Sequence, residues 1–275
     1  MALPKESCPI AILGGGNLGT ALARGWGRKC GVEPSLITVT RRRPAKLLEL
    51  QTAGYQVSDD NAAAVDSATT VVLAVQPQQL DCLLDEIGSS VDSDRHFIIS
   101  VVSGVSIESL KNRLGQDTPI VRAMPNTAVS IGESMTCLAA GEEVGGGLER
   151  AEALFSPLGQ TLRLTEAMMS PATALCACGI AFFLRCVRAA SQGGIEIGFH
   201  PDEALLLAAQ TARGAASLSL DGKHPESEID RVTTPRGCTI AGLNEMEHQG
   251  LSSALIKGII VSSRAAQGLG GDKSD

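Results

Sequence analysis

The chain has 275 residues, with 23 Lys and Arg against 30 Asp and Glu for a formal net charge of −7, which argues against nucleic acid as the main partner. Aromatic residues make up 3 %, too few for the stacking platforms that hold single strands. With 44 % hydrophobic and 19 % charged residues the composition excludes a disordered chain, and a length of this order buries about 70–75 % of the unfolded surface in one large or two medium domains.

Residues 1–7, with Lys5 and Glu6, lead straight into a short strand and read as neither signal nor transit peptide. Residues 9–13 form that strand. It runs into Gly14-Gly15-Gly16-Asn17-Leu18-Gly19 and then a helix to about Lys29. Further strands are predicted at 36–40, 70–75, 96–102 and 119–123, with helical patterns between most of them, and two more at 135–139 and 161–164 flanking a helix at 148–155. Alternating strands and helices imply a parallel sheet covered on both faces. After Glu166 the pattern changes, and 171–197, 201–218, 239–248 and 252–267 all read as helices. Pro201, Asp202 and Glu203 make a good helix start. The fold class is therefore α/β, a Rossmann-type, mostly parallel sheet domain over 1–165 followed by an all-helical domain over 166–275, with a disordered tail from Gly268. The longest charge-free run, 167–184, contains Ser170, Pro171 and Thr173 and reads as a buried helix instead of a membrane span.

The eight cysteines (8, 30, 82, 137, 176, 178, 186 and 238) contain no CxxC, and the four histidines lie apart from them. Free buried thiols in a reducing cytoplasm and no metal site are the expectation.

A GxGxxG spacing is weak evidence in a chain with 30 glycines, but strand before and helix after strengthen it. Gly14 permits the tight turn, Gly16 lets backbone approach a pyrophosphate, Gly19 lets helix and strand pack closely, and the helix start offers free N–H groups to an anion. An acid at the end of the second strand usually receives the ribose hydroxyls of NAD. Here Thr40 is followed by Arg41, Arg42 and Arg43, which suits the extra 2′-phosphate of NADP; the alternative is a solvated basic loop.

Alcohol oxidation needs a base, commonly a lysine early in the second domain, yet 166–222 has no lysine, and His200 stands just before a helix start, in a surface or capping position. An imine needs only positioning and a hydrogen-bonding group at nitrogen, so the missing base favours C=N reduction over a hydroxy-acid dehydrogenase. The most unusual stretch is 232–243, VTTPRGCTIAGL, a hydroxyl- and glycine-rich turn before a helix. It reads either as an ordinary N-cap loop, with Thr234 or Thr239 capping, or as a carboxylate cradle.

Across nearly its whole length the chain resembles the pyrroline-5-carboxylate reductase family, which performs the last step of proline synthesis. The likeness rests on Gly14 to Gly19, on Ala74-Val75-Gln76-Pro77 (an AVKP element), on Met124-Pro125-Asn126-Thr127, on AAQTARGAA at 208–216 and on the 232–243 loop. The resemblance implies NADPH-dependent reduction of 1-pyrroline-5-carboxylate to L-proline, with NADH open as a second donor. It implies a homodimer or larger homo-oligomer, and composition and charge add the expectation of a cytoplasmic protein that engages neither nucleic acid nor membrane. The cofactor set is Gly14, Gly16, Asn17, Leu18, Gly19, Arg41, Arg42, Asn61, Ala74, Val75 and Asn126. The substrate carboxylate falls to Thr234, Gly237, Cys238 and Thr239, with the Thr239 hydroxyl facing the ring nitrogen as the catalytic group. Gln76 stands where the family has lysine, Cys176 and Cys178 replace hydroxyl residues, and Arg236 replaces a loop glycine. Cys176 and Cys178, at i and i+2, fall on different helix faces and do not easily bridge each other. Arg236 either pairs with the carboxylate or points to solvent. Reduction of another cyclic imine and a non-catalytic NADPH-sensing role are the alternatives.

Overall fold

The computed structural model describes residues 8–141 and 146–268. The readings of residues 1–7 and of the tail beyond Gly268 lie outside the described residues. Backbone contacts divide the chain into two compact units, one holding the described residues up to 178 and those from 262 onward, the other residues 179–261. The division falls inside the expected helical region, which begins on the first unit's side with a short helical turn at Glu166–Met168.

In the first unit, eight strands, β1 (Ile10–Leu13), β2 (Ile37–Thr40), β3 (Gln56–Ser58), β4 (Thr70–Leu73), β5 (Phe97–Ser100), β6 (Ile120–Met124), β7 (Ser134–Ala140) and β8 (Gly159–Arg163), form one sheet in the order β3-β2-β1-β4-β5-β6-β7-β8. Every neighbouring pair is parallel except β6 with β7. The order 3-2-1-4-5-6 is that of a dinucleotide-binding sheet, with its reversal between β1 and β4. Leu13 is level with Thr40 on one side and Leu73 on the other, so the segments after these residues emerge together at the carboxyl edge.

Helices α1 (Asn17–Lys29), α2 (Leu48–Thr52), α3 (Asn61–Asp66), α4 (Pro77–Ile87), α5 (Ile107–Leu114) and α6 (Gly147–Phe155) connect the strands. Alternation along β1 explains the layering. Ile10 and Ile12 join a cluster with Leu22, Trp26, Val39 and Ile99, whereas Ala11 and Leu13 join Leu73, Leu80, Leu84 and Leu110 in a second. A strand buried on both faces reads as a near-continuous apolar run, and IAIL is one. Trp26 is fully buried, donates its indole N–H to the Leu154 carbonyl at 2.8 Å and meets the Phe155 ring edge-on, with centroids 5.8 Å apart. Beyond the sheet, Glu166 pairs with the buried Arg122 of β6 at 3.1 Å and accepts the Ile107 N–H at 2.7 Å.

The predicted helix at 171–197 is broken: α7 (Met169–Ala172) passes into a π turn at Thr173–Cys178 before α8 (Gly179–Glu196) begins. The Thr173 hydroxyl bonds back to the Met169 carbonyl at 2.8 Å, and back-bonding of this kind bends and widens a helix. Strand β3 was not foreseen, because three residues leave almost no periodic signal.

The second unit contains α8, α9 (Pro201–Leu220), α10 (Pro225–Val232), α11 (Cys238–His248) and the first part of α12 (Leu251–Gly268). Helices α8 and α9 pack together, and a Cβ on Gly194 would sit 3.0 Å from the Cβ of Ala204. His200 takes the N-cap position of α9, with its N–H donated to Glu203 at 3.1 Å. Helix α10 was also unforeseen, although Pro225 at its first position, Glu226 and Glu228 in its first turn and Arg231 in its last are start and stop signals. The expectation of a buried helix at 167–184 is corrected. The most apolar window of Glu166–Glu196 has a mean hydropathy of 1.8, passes the length and composition test for a membrane span, and is only 28 % buried.

Candidate active site

The first set of candidate residues gathers at the carboxyl edge of β1, β2 and β4. Gly14 follows Leu13 with φ of +122°, and a Cβ there would collide with the Ala74 carbonyl and lie 3.0 Å from the Val75 nitrogen. A glycine is thus dictated by both the turn and the neighbouring strand end. Gly15 donates its N–H to the Thr40 carbonyl at 2.6 Å, and Ala74 donates to the Leu13 carbonyl at 2.8 Å. Gly16 is the N-cap of α1. No side chain caps that helix, its first turn holds no acid, and nothing lies within 4 Å of where a Gly16 Cβ would point. Asn17 is exposed and Leu18 half-buried, while buried Gly19 packs directly on the Gly14 carbonyl. The turn therefore presents uncapped N–H groups at the positive end of a helix, beside open space, which is the donor set an anionic pyrophosphate requires.

The basic residues after β2 divide into two roles. The Arg41 guanidinium donates to the Gly15 carbonyl at 2.7 Å and its backbone N–H to the Ser58 carbonyl at 2.9 Å. Arg41 thus braces the glycine turn. Arg42 and Arg43 are exposed, and among the described residues neither pairs with a carboxylate. Of the three, Arg42 and Arg43 are the cations free to meet a phosphate.

Asn61, first residue of α3, has both ends of its amide engaged. Its oxygen accepts the Thr40 hydroxyl at 2.6 Å, and its nitrogen donates to Glu86 at 2.6 Å. Sequence reasoning missed Thr40 and Glu86 here, and no spacing signal joins residues so far apart in the chain. Asn126 stands beyond the end of β6, three strands from β1 and so roughly 14 Å along the sheet. It is 9 % exposed, its nitrogen donates to the Cys176 carbonyl at 3.2 Å, its oxygen accepts the Ala128 N–H at 3.0 Å, and its backbone N–H donates to Ser134 at 3.2 Å. Asn126 is therefore a structural junction whatever else it touches, and Ser134 is a partner that the sequence did not single out.

The second set lies in the second unit and is described by itself. The N–H of Gly237 donates to the Thr234 carbonyl at 3.0 Å, closing a four-residue turn with Pro235 and Arg236 in the middle. Arg236 has φ of +59°. Pro before a left-handed residue is the pattern of a type II turn, in which glycine is the usual third residue. Arg236 is exposed and has no hydrogen-bond partner among the described residues. Gly237 is the N-cap of α11, and a Cβ on it would strike the Thr234 hydroxyl. No side chain caps α11 and no acid lies in its first turn. Of the two readings of this loop, capping by Thr234 or Thr239 is not what the structure forms. Cys238 is exposed and Thr239 half-buried in that first turn, leaving N–H groups and a hydroxyl for an oxyanion and its neighbour.

Comparison with known proteins covers both parts of the chain. Residues 166–269 match the family described as pyrroline-5-carboxylate reductase dimerisation, and residues 9–104 match NADP oxidoreductase coenzyme F420-dependent. Pyrroline-5-carboxylate reductase 1 of Dictyostelium discoideum is 50 % identical over 94 % of this chain, which spans 49 % of that relative's length. Pyrroline-5-carboxylate reductase 2 of the same organism is 46 % identical over 94 % of this chain and 92 % of its own. The fold is that of the Plasmodium falciparum pyrroline carboxylate reductase solved with NADP bound, at a TM-score of 0.89 and 20 % identity over 98 % of this chain and 100 % of that one. With relatives of 50 % and 46 % identity over 94 % of its length, the chain belongs to the pyrroline-5-carboxylate reductase family.

Proposed function

We propose that this protein reduces 1-pyrroline-5-carboxylate to L-proline with NADPH. The observation that carries the reading is the uncapped start of α11 behind the Thr234–Gly237 turn, which offers backbone donors to a carboxylate and the Thr239 hydroxyl beside them. The edge of β1, β2 and β4 suits the dinucleotide. Gly14, Gly16, Asn17, Leu18 and Gly19 would take the pyrophosphate, Arg42 the 2′-phosphate with Arg41 bracing the turn, and Asn61, Ala74, Val75 and Asn126 would line the remainder. When bound, the nicotinamide supplies a hydride.

What the chain itself contributes is positioning and charge. The amides of Gly237, Cys238 and Thr239, with Thr234, hold the acid group of the imine through the dipole of α11. The Thr239 hydroxyl donates a hydrogen bond to the ring nitrogen, where electron density accumulates as the C=N bond is reduced. A group placed in this way contributes about 10² to 10⁴ in rate.

We assign the exposed apolar residues of the second unit to contact with further copies of the chain, in keeping with the family match at 166–269. On this reading the 166–196 run packs against protein, and the enzyme works as a cytoplasmic homo-oligomer. The test is NADPH consumption by purified protein with and without 1-pyrroline-5-carboxylate. Consumption that depends on the five-membered imine supports the assignment. Faster turnover of the six-membered homologue would reassign the substrate, and NADPH binding with no imine-dependent consumption would make the protein a nucleotide sensor.

A further inference from the structure

Cys137 and Cys176 lie far apart in the chain, yet their sulfurs are 3.8 Å apart. Cys137 sits on β7 with 2 % exposure, and Cys176 is half-buried in the π turn. A disulfide requires sulfurs about 2.05 Å apart, so the two have about 1.8 Å to close. The two cysteines also differ in chemistry. The two thiols are within hydrogen-bond reach of each other, and with the proton held on Cys137 that contact lowers the Cys176 pKa to about 7 and, together with burial, raises that of Cys137. A thiolate is the nucleophile in sulfur oxidation.

We propose that Cys137 and Cys176 form an oxidisable dithiol, a modification site that a hydroperoxide converts to a disulfide. The Cys176 thiolate attacks one peroxide oxygen. An S–O bond forms, the O–O bond breaks, and the other oxygen leaves and takes a proton, leaving a sulfenic acid on Cys176. The Cys137 sulfur then attacks the Cys176 sulfur. The S–S bond forms, the S–O bond breaks, and the hydroxide departs with the Cys137 proton as water. Two thiols and one hydroperoxide thus give a disulfide, an alcohol (or water) and water, with the sulfurs losing the two electrons that the peroxide gains. Buried Cys137 does not meet the oxidant itself and acts as the resolving thiol.

The site has a neighbour of consequence, because the Cys176 carbonyl is the acceptor for Asn126. Closing the sulfurs moves the π turn that holds this carbonyl and loosens Asn126. This consequence for nucleotide binding rests on the placement of Asn126 in the cofactor set; the cross-link does not.

The experiment treats the reduced full chain with hydrogen peroxide, alkylates it, digests it without reductant and maps the peptides. The expected result is a Cys137–Cys176 linked peptide that disappears with dithiothreitol. In Cys176→Ser, Cys137 stays alkylatable after unfolding, and in Cys137→Ser a dimedone adduct accumulates on Cys176. Cys176 joined to Cys178 or Cys186, or carried to sulfinic acid while Cys137 remains a free thiol, overturns the proposal; this readout uses the unmutated protein and does not depend on the variants folding. NADPH affinity of the oxidised protein is expected to fall about two- to tenfold and to recover on reduction, the effect of one weakened hydrogen bond. Equal affinity in both forms overturns the coupling to Asn126. Reduced protein that binds no NADPH counts against the nucleotide site and leaves the peptide result standing.

Discussion

In the first unit Leu22, Trp26, Ile99 and Phe155 are closed off from solvent by their own chain, whereas in the second Phe183, Leu184, Leu206 and Val261 are each more than half exposed. Both units are rich in apolar residues, so composition does not separate them. What separates them is geometry. A twisted sheet with helices on both faces covers its apolar residues within one chain. Helices α8 to α11 cover little of theirs, with Ala204 the buried hydrophobic residue among them. The first unit closes over its own apolar core, and the second leaves much of its apolar surface uncovered by this chain.

The largest expected effect falls in the second unit but leaves its fold alone. Thr239→Ala should lower turnover by about 10² to 10⁴ while NADPH binding, which depends on the first unit, stays nearly constant; steady-state kinetics with nucleotide titration will show it. Next are paired apolar substitutions, one buried and one exposed, that set the units against each other. Trp26→Ala should destabilise the protein by about 3–5 kcal/mol in denaturant melts, whereas Leu206→Asp should leave the first unit folded and shift the assembly to smaller species in light scattering. A Leu206→Asp protein with unchanged mass would break the comparison.

Arg42→Ala should raise the Michaelis constant for NADPH by roughly ten- to a hundredfold, through loss of one charge-assisted contact, and change that for NADH little. Arg41→Ala is a less selective probe, since Arg41 also holds the Gly15 carbonyl and its loss should weaken both nucleotides. The smallest effect is at Arg236. Replacing it with glycine removes the cost of about 1–2 kcal/mol that a side chain incurs in the left-handed conformation, offset by about 0.5–1 kcal/mol of glycine entropy. A slightly higher melting temperature with unchanged Michaelis constant for the imine is expected. A raised Michaelis constant would instead give Arg236 a part in gripping the carboxylate.

Much of the first unit was legible because its strands are continuous apolar runs and its glycine turn lies between a strand and a helix. IAIL, TVVL and FIIS declare double-sided burial, and no bound moved by more than two residues. The short polar β3 and the π turn were not legible, because neither follows a period of 2 or 3.6 residues. In the site, the role of Gly14 in a tight turn was read from turn chemistry, whereas Gly237 entered through the family resemblance. The bracing role of Arg41, the Thr40–Asn61–Glu86 chain and the placement of Cys176 beside Cys137 did not, since each joins residues that only the strand order brings together.

The amino-acid order by itself determined the alternation of strands and helices, the glycine turn, the missing lysine and the threonine-lined loop, all of which are local patterns of side-chain size, polarity and backbone freedom. Tertiary structure alone decided which arginine is free, which amides are already satisfied, which thiols meet and which apolar helices remain uncovered. These depend on contacts between distant segments, and a hydrogen bond or a buried face exists only once the sheet has set those segments side by side.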